Sequence, residues 1–362
     1  MKISGAHARL LSVPIDNTLS PLVPRENATR EFVTVELATD EGLTGLGLTG
    51  FGGPLSPGLR QAVEALAALI IGESPLEVEA IADLLKRKAG FSGPGGIYTL
   101  ALSAIDTALW DIKGKAFGQS VCSLIGGYRD RVPTYASGAL MRTTPVDLLA
   151  GISTDLVDAG FTQMKTQLGG SSTVSSELNR ISVIRKTVGD DIDLMCDINQ
   201  LWQTHQAISI GHRLKPFGLT WLEDVVAHDD YQGMAYVRSA IDTPIAAGEY
   251  VYGIRPFQHM MNAGCTDVVM IDLLRVGGIT QWLKVAHMAE AFNLPVVSHL
   301  IPEIHVHLVA GIPNGLTTEY MPWTLPLFEE TPEIRDGELL VPQRHGLGLN
   351  FNQDIVKQYT IA

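Results

Sequence analysis

The chain has 362 residues, of which 46% are hydrophobic, and a formal net charge of −13. This length accommodates a barrel of roughly 250 residues together with a second domain, and the composition excludes a disordered chain. The acidic balance, without a long Lys/Arg run, argues against nucleic acid or an anionic membrane as partner. An anionic substrate would therefore require local cationic side chains or a metal ion.

The sequence gives no sign of export. Its amino-terminal segment lacks the apolar stretch of a signal peptide, and no run approaches the ~18 apolar residues that span a membrane. The cysteines, Cys122, Cys196 and Cys265, are odd in number and lie in apolar sequence without a C-x-x-C motif. We interpret them as reduced core thiols and expect a cytoplasmic protein.

The first 125 residues predict an α+β domain. Strands are expected at 3–13, 31–39 and 43–50, and helices at 57–71, 75–89 and 97–117. The loop at 15–30 has the length of a segment that often covers a site. Residues 45–50 match the dinucleotide motif G-x-G-x-x-G, but they form the return arm of a hairpin, so we expect no nucleotide cofactor.

From Arg131 onward, short apolar runs alternate with helical periods, which is typical of βα units around a parallel sheet. Eight strands and seven intervening helices predict a (β/α)8 barrel, with strands at 133–139, 162–167, 192–197, 219–223, 244–248, 267–271, 294–298 and 315–319. The predicted domains are an α+β domain at 1–125, a barrel at 126–325 and a tail at 326–362 that can fold back on the first domain.

Three acidic residues mark the ends of consecutive predicted strands. Asp197, Glu223 and Glu249 lie at an even interval of 26 residues, and each closes a short apolar run. In a (β/α)8 barrel, the carboxyl ends of adjacent strands meet at the face that carries the chemistry. Three carboxylates there offer hard oxygen ligands for Mg²⁺ and leave positions for water and substrate. The spacing therefore predicts a metal-dependent enzyme.

Other predicted strand ends also carry polar side chains, which are costly to bury. These are Lys165, Gln167, Asn199, Asp272, His299 and Glu319. Taken singly, Asp197 could be a helix N-cap, Glu319 a surface acid and His299 a hydrogen-bonded core histidine. Their occurrence on consecutive strand ends favours a catalytic constellation.

On these residues the chain resembles the enolase superfamily, mandelate racemase subgroup, over essentially its full length. The resemblance implies an α/β fold, in which a modified (β/α)8 TIM barrel carries an N-terminal α+β capping domain completed by the C-terminal tail. It also implies Mg²⁺ as cofactor, a small-molecule carboxylate as substrate and a homo-oligomer such as an octamer. The metal ligands of the family correspond to Asp197, Glu223 and Glu249.

The resemblance assigns the remaining roles as well. His299 and Asp272 correspond to the family's His–Asp dyad, in which a histidine base is oriented by a carboxylate. Lys165 corresponds to the first lysine of a Lys-x-Lys motif and adds a positive neighbour for the enolate. Glu319 corresponds to the acid that hydrogen-bonds the enolate oxygen, a role that requires a raised pKa.

Two departures from the family pattern bear on the reaction. Gln167 occupies the position of the second catalytic lysine, and an amide cannot accept a proton near neutral pH. A racemase needs a base on each face of the α-carbon, whereas β-elimination of water needs only His299, so dehydration is the leading prediction. Lys165 acting as a second base would revive epimerisation. Asp224-Val225 follow Glu223 where the family usually has an acid or Gln and then Pro, from which we expect a local loop difference.

Substrate contacts are expected from Asn199, from Phe51 and from Arg25 in the cap loop. Apolar residues near Arg25 either indicate a smaller, partly apolar substrate or merely seal the cap on the barrel; they are Leu19, Leu22 and Val23. Two further histidines, His305 and His307, lie two apart in a predicted helix and so on different faces, and we interpret both as structural.

Three hypotheses remain open from the sequence. The first is a Mg²⁺-dependent hydro-lyase acting on an acid sugar or related 2,3-dihydroxy acid. The second is an isomerase, meaning a racemase, epimerase or lactone cycloisomerase. The third is a catalytically silent metal-binding relative, which Gln167 favours but the intact Asp272–His299 pair opposes.

Overall fold

The computed structural model describes residues 1–15, 18–24, 28–171 and 173–361. The amino-terminal part combines a three-stranded antiparallel sheet with helices. Its elements are β1 (Ile3–Pro14), β2 (Thr29–Thr39), β3 (Thr44–Thr49), α1 (Ser56–Ala68), α2 (Val78–Ala89), α3 (Ile97–Phe117) and α4 (Val121–Leu124).

The G-x-G-x-x-G stretch lies on β3, which pairs antiparallel with β2. A Cβ atom at Gly45 or Gly47 would lie 2.1 Å or 1.9 Å from a backbone carbonyl oxygen of α3. These glycines therefore allow the sheet and the helix to approach closely, and they do not open a phosphate-binding turn.

The second sheet contains eight parallel strands that close on themselves through a pairing of the last with the first. In chain order its elements are β4 (Arg131–Leu140), α5 (Val146–Asp158), β5 (Gln163–Gln167), α6 (Val174–Val188), β6 (Asp193–Asp197), α7 (Thr204–Leu214), β7 (Leu222–Glu223), α8 (Tyr231–Ala240), β8 (Ile245–Ala247), α9 (Ile254–Asn262), β9 (Val268–Asp272), α10 (Leu273–Val276), α11 (Ile279–Ala291), β10 (Val296–His299), α12 (Pro302–Ala310) and β11 (Gly315–Tyr320). The predicted α/β fold with a (β/α)8 barrel is confirmed.

The barrel interior is filled by side chains that pack apart from the main core. This cluster consists of Tyr135, Met195, Trp221, Ala246, Val268, Met270 and Val297. It forms the floor beneath the carboxyl ends of the strands, as expected for a packed barrel rather than a pore. The strands differ from expectation mainly at β7, which has two paired residues where five were predicted.

The tail contacts both parts of the molecule. It contains β12 (Ile334–Arg335), β13 (Glu338–Leu340) and α13 (Gln353–Tyr359), and β13 pairs antiparallel with β4 of the barrel. After α13, the backbone N–H of Ile361 donates to the carbonyl oxygen of Leu10 on β1 at 2.8 Å. The three cysteines are buried free thiols. No helix in the described part of the chain is long and apolar enough to span a membrane.

Candidate active site

The barrel gathers the predicted site residues at the carboxyl ends of its strands. Lys165 and Gln167 lie on β5, Asp197 on β6, Glu223 on β7, Asp272 on β9, His299 on β10 and Glu319 on β11, while Asn199 and Glu249 follow β6 and β8 by two residues. All are buried except Gln167 and Asn199, which are half-buried. Parallel strands place their ends at one mouth, which is why residues so distant in sequence meet.

Lys165 holds the centre of the site by two ion pairs. Its Nζ lies 2.6 Å from Glu223 Oε1 and 2.8 Å from Glu319 Oε1. Burial lowers the pKa of Lys165, but the two carboxylates outweigh burial and hold the pKa well above its usual value. Lys165 is therefore an ammonium group at neutral pH, which suits it to stabilise negative charge and not to act as a base.

His299 and Asp272 form a close dyad. His299 Nδ1 lies 2.6 Å from Asp272 Oδ2, and its Nε2 lies 3.2 Å from Glu249 Oε2. Burial lowers the pKa of His299, but the Glu249 charge and the Asp272 hydrogen bond raise it to about 9. Asp272 Oδ1 accepts from the backbone N–H of Arg275 at 2.7 Å and so caps α10. Asp272 therefore uses one oxygen to hold His299 and the other to hold the first turn of α10.

The chemistry of Asp197, Glu223 and Glu249 fits a hard divalent cation. Burial is the largest cause that raises their pKa values, to about 7 for Glu223 and well above the usual value for Glu249. Buried carboxylates that repel one another gain from a cation, and Mg²⁺ prefers such oxygen ligands. Within the described residues no three such groups are already arranged around a metal position, and Glu223 and Glu249 are instead paired with Lys165 and His299.

Gln167 belongs to a polar network that the sequence did not predict. Its Nε2 donates to Asp197 Oδ2 at 3.2 Å and to Asn199 Oδ1 at 3.0 Å. Arg142 also donates to Asn199 Oδ1, and Asn199 Nδ2 donates to the Tyr250 hydroxyl at 3.3 Å. Because Asp197 only accepts and Arg142 only donates, both amide orientations are determined. Arg142 and Tyr250 could have been found from their places beside a strand end and a predicted ligand.

Glu319 accepts hydrogen bonds in this structure. Its Oε2 accepts from the backbone N–H of Leu300 at 2.6 Å, immediately after His299. Burial raises the pKa of Glu319, but the charges of Lys165 and His299 lower it to about 2. The raised pKa that a hydrogen-bond donor at this position requires is therefore not present, because Lys165 pairs directly with the carboxylate.

Asp224, which the sequence singled out only as a loop difference, is a fully buried carboxylate. Its backbone has a φ of 43°, and among the described residues neither oxygen meets a donor in good hydrogen-bond geometry, although the Gly248 backbone is near. Burial and the charge of Glu223 raise its pKa well above the usual value. Burial therefore favours the protonated form of Asp224, which is less costly to bury than its carboxylate.

Phe51 covers the base from the cap side. Its ring stacks on His299 with centroids 6.1 Å apart, and the guanidinium carbon of Arg275 lies 3.9 Å from the centroid of the Phe51 ring. Phe51 itself has a φ of 62°, an uncommon conformation for a bulky residue. Arg25, the other predicted substrate contact of the cap, lies outside the described residues.

A cavity of about 630 Å³ lies beside Phe51, between the cap and the barrel. It is bordered by Arg30, whose guanidinium lies 3.3 Å above the Trp323 ring, and by Arg275. Leu22, in contrast, lies against α5, where Gly151 leaves room for it. That contact favours the sealing role for the apolar part of the cap loop.

Two family models match the chain. Residues 18–126 match the N-terminal domain of mandelate racemase/muconate lactonizing enzyme, and residues 149–355 match the model described as enolase C-terminal domain-like. The second match alone covers more than half of the chain.

The most informative relatives include two enzymes of different reaction type. L-talarate/galactarate dehydratase of Salmonella typhimurium is 32% identical over 296 residues, 82% of this chain and 74% of the relative. D-galactarolactone cycloisomerase of Agrobacterium fabrum is 29% identical over 382 aligned positions, 99% of each. A crystal structure of L-talarate dehydratase from a Polaromonas species, complexed with Mg and L-glucarate, has a TM-score of 0.92 at 32% identity. It covers 100% of this chain and 98% of that chain.

Proposed function

The chain belongs to the mandelate racemase/muconate lactonizing enzyme family, and we propose that it is a Mg²⁺-dependent hydro-lyase of an acid sugar or related 2,3-dihydroxy acid. This proposal rests on the observation that the site offers a single base, His299, to the α-proton. His299 is oriented by Asp272 at 2.6 Å and would be freed if Glu249 turned to the metal, whereas Gln167 is an amide and Lys165 would keep Glu319 as its partner even if Glu223 turned to the metal. Relatives named as dehydratases support the same reaction class.

The charge that develops on the substrate sets the first requirement. Removing a proton α to a carboxylate creates a dianionic enolate, which the protein must stabilise. Asp197, Glu223 and Glu249 would hold Mg²⁺, which when bound would offset this charge on the substrate carboxylate. Lys165 contributes a second positive charge from β5, since neighbouring carboxylates raise its pKa.

His299 would carry out both proton transfers. In this structure Nε2 faces Glu249 at 3.2 Å, so this carboxylate has to leave the imidazole before the ring can act as a base. Nε2 then takes the α-proton, and the C–H electron pair enters the enolate. As the C3–O bond breaks, the imidazolium returns the proton to the departing hydroxyl, so that water leaves and the enol becomes a 2-keto-3-deoxy acid.

The cavity beside Phe51 offers two cationic groups to an acid substrate, within a lining that also contains apolar side chains and Glu31. Arg30 and Arg275 border it, and both guanidinium groups suit a hydroxylated or anionic distal end. The apolar Leu22 instead contacts Gly151 of α5. We therefore expect aldaric and aldonic acids to be better substrates than mandelate.

A lactone cycloisomerase is the second candidate. The Agrobacterium cycloisomerase aligns with 99% of this chain, and moving a proton within one lactone also needs only one base. This reaction would use the same His299–Asp272 dyad but would release no water.

The test is ¹H NMR of the protein with Mg²⁺ in D₂O against galactarate, L-talarate, L-glucarate, D-galactonate, D-galactarolactone and mandelate. New 3-deoxy methylene signals are the expected result, and a rearranged lactone would instead establish the cycloisomerase. Loss of the α-proton with a second stereoisomer would contradict the one-base argument. His299→Asn should abolish α-proton exchange, whereas His212→Asn, at an exposed helix position, should leave it unchanged.

A further inference from the structure

The turn that follows the base has a strained backbone. Leu300 and Ile301 have φ values of 56° and 47°, and both are buried. A β-branched residue with positive φ is an outlier, and each such residue costs about 1–3 kcal/mol. Two in succession persist only where the surroundings hold them. This turn joins His299 on β10 to α12 (Pro302–Ala310).

Two side chains hold Leu300 from opposite sides. Its N–H donates to Glu319 Oε2 at 2.6 Å, and its carbonyl oxygen lies 2.6 Å from His305 Nδ1. Among the described residues, no other donor reaches that carbonyl. Glu319 belongs to the site already described, whereas His305 does not.

His305 is built as a permanent hydrogen-bond donor. The Leu300 carbonyl can only accept, so the hydrogen must be on Nδ1 and the tautomer is determined. Burial lowers the pKa of His305 to about 4, which keeps the ring neutral across the physiological range. The ring also packs near Trp282, with centroids 6.2 Å apart, so its orientation is fixed by its neighbour.

We propose that His305 is a positioning residue for the base: through the Leu300 carbonyl, it holds the left-handed turn that directs the His299 side chain toward the substrate. The inference rests on the proposed role of His299 as base. Without the hydrogen bond, a buried carbonyl is left unpaired inside a strained turn, and the turn relaxes. Displacing a catalytic group by ~1 Å costs about 100-fold in rate, so a small relaxation suffices.

Two substitutions at this position separate the hydrogen bond from the packing. His305→Asn keeps an N–H near the Nδ1 position but loses ring volume, whereas His305→Phe keeps the ring and loses the donor. We expect the Phe variant to lower kcat for α-proton exchange about 10- to 100-fold with KM within about twofold. The Asn variant should retain kcat within about threefold. A purely structural role predicts the reverse order, since a cavity harms packing more than an isosteric ring does.

A second measurement needs no substrate. Amide hydrogen exchange of residues 299–305 should be at least about tenfold faster in His305→Phe than in wild type and unchanged in His305→Asn. Should the wild type process none of the acids, the proposed function would fail while this comparison still tests the turn. The positioning role is overturned if the Asn variant is the slower enzyme, or if both variants match wild type in both measurements.

Discussion

Lys165 determines the charge balance at the bottom of the site. It is buried and shared between Glu223 and Glu319, so two carboxylates depend on one ammonium group. Removing one member of a buried ion network leaves uncompensated charge, which costs far more than the loss of an exposed pair. The same residue therefore stabilises the metal-free fold and prepares the site for an anionic enolate.

Lys165→Met should destabilise the protein in EDTA by about 3 kcal/mol or more, because Glu223 and Glu319 lose their cation. Added Mg²⁺ should recover part of this loss, since the cation would bind Glu223, one of the two carboxylates that Lys165 leaves, together with Asp197 and Glu249. Urea unfolding with EDTA and with Mg²⁺ measures both effects. Lys284→Met, which removes an exposed pair with Glu79, is the matched control and should change stability by less than about 0.5 kcal/mol. Equal stability of Lys165→Met and wild type in EDTA would contradict this account.

The helix α12 buries polar side chains that hydrogen-bond to neighbouring segments of the chain. His307 is fully buried, and its Nε2 lies 3.0 Å from the carbonyl oxygen of Leu347 in the tail. Burial lowers its pKa to about 4. Because the unfolded chain takes up this proton at a higher pH than the folded one, stability falls as the pH drops from about 6.5 toward 4.

His307→Gln should reduce that pH dependence, because the amide keeps a donor for Leu347 but does not titrate. In the wild type, the lowered pKa of His307 accounts for a fall in the unfolding free energy of roughly 3 kcal/mol between pH 7 and pH 4, and the Gln variant should not show this part of the fall. His305 has a similarly lowered pKa and remains, so its own contribution to the acid loss of stability should persist. Unfolding free energies of both proteins measured across this range decide the point. Parallel pH curves would show that His307 does not contribute.

At the scale of the molecule, α3 joins cap, barrel and tail. Asp106 Oδ2 accepts from the backbone N–H of Thr280 at the start of α11, at 2.9 Å. Asp111 accepts from the backbone N–H of Leu46 on β3 at 3.0 Å and of Leu347 in the tail at 2.9 Å. Both carboxylates are buried, so buried hydrogen bonds as well as apolar packing connect the cap, the barrel and the tail.

Asp111→Asn should destabilise the protein by about 2–4 kcal/mol, because one amide oxygen cannot serve two backbone donors and Lys115. Asp106→Asn is the matched control on the same helix. Burial raises the pKa of Asp106 to about 6, and among the described residues its hydrogen bonds go to Thr280 and Ile279 at the start of α11 alone, so we expect a smaller loss, of about 1–2 kcal/mol. Chemical unfolding of both variants gives the comparison, and equal losses would contradict the added cost expected for a carboxylate that serves both β3 and the tail.

The sequence by itself determined the barrel and the order of its polar strand ends. Asp197, Glu223, Asp272, His299 and Glu319 each follow an apolar run whose length and neighbours mark a strand, and this signal is local. Because parallel strands in a closed barrel end at one mouth, strand assignment was sufficient to bring these residues together. The even spacing of the acids also pointed to oxygen ligands before any distance was known.

Only the tertiary structure decided which of these groups neutralises which. Lys165 pairs with Glu223 and Glu319, and this pairing lowers the pKa of Glu319. Arg142 donates a hydrogen bond to Asn199. These contacts depend on distances between strands that are remote in sequence. The strained turn at Leu300 depends on a carbonyl held by a helix side chain, which no local propensity encodes. Burial strengthens each of these interactions, the neighbouring charges set the direction of each pKa shift, and both depend on the assembled fold.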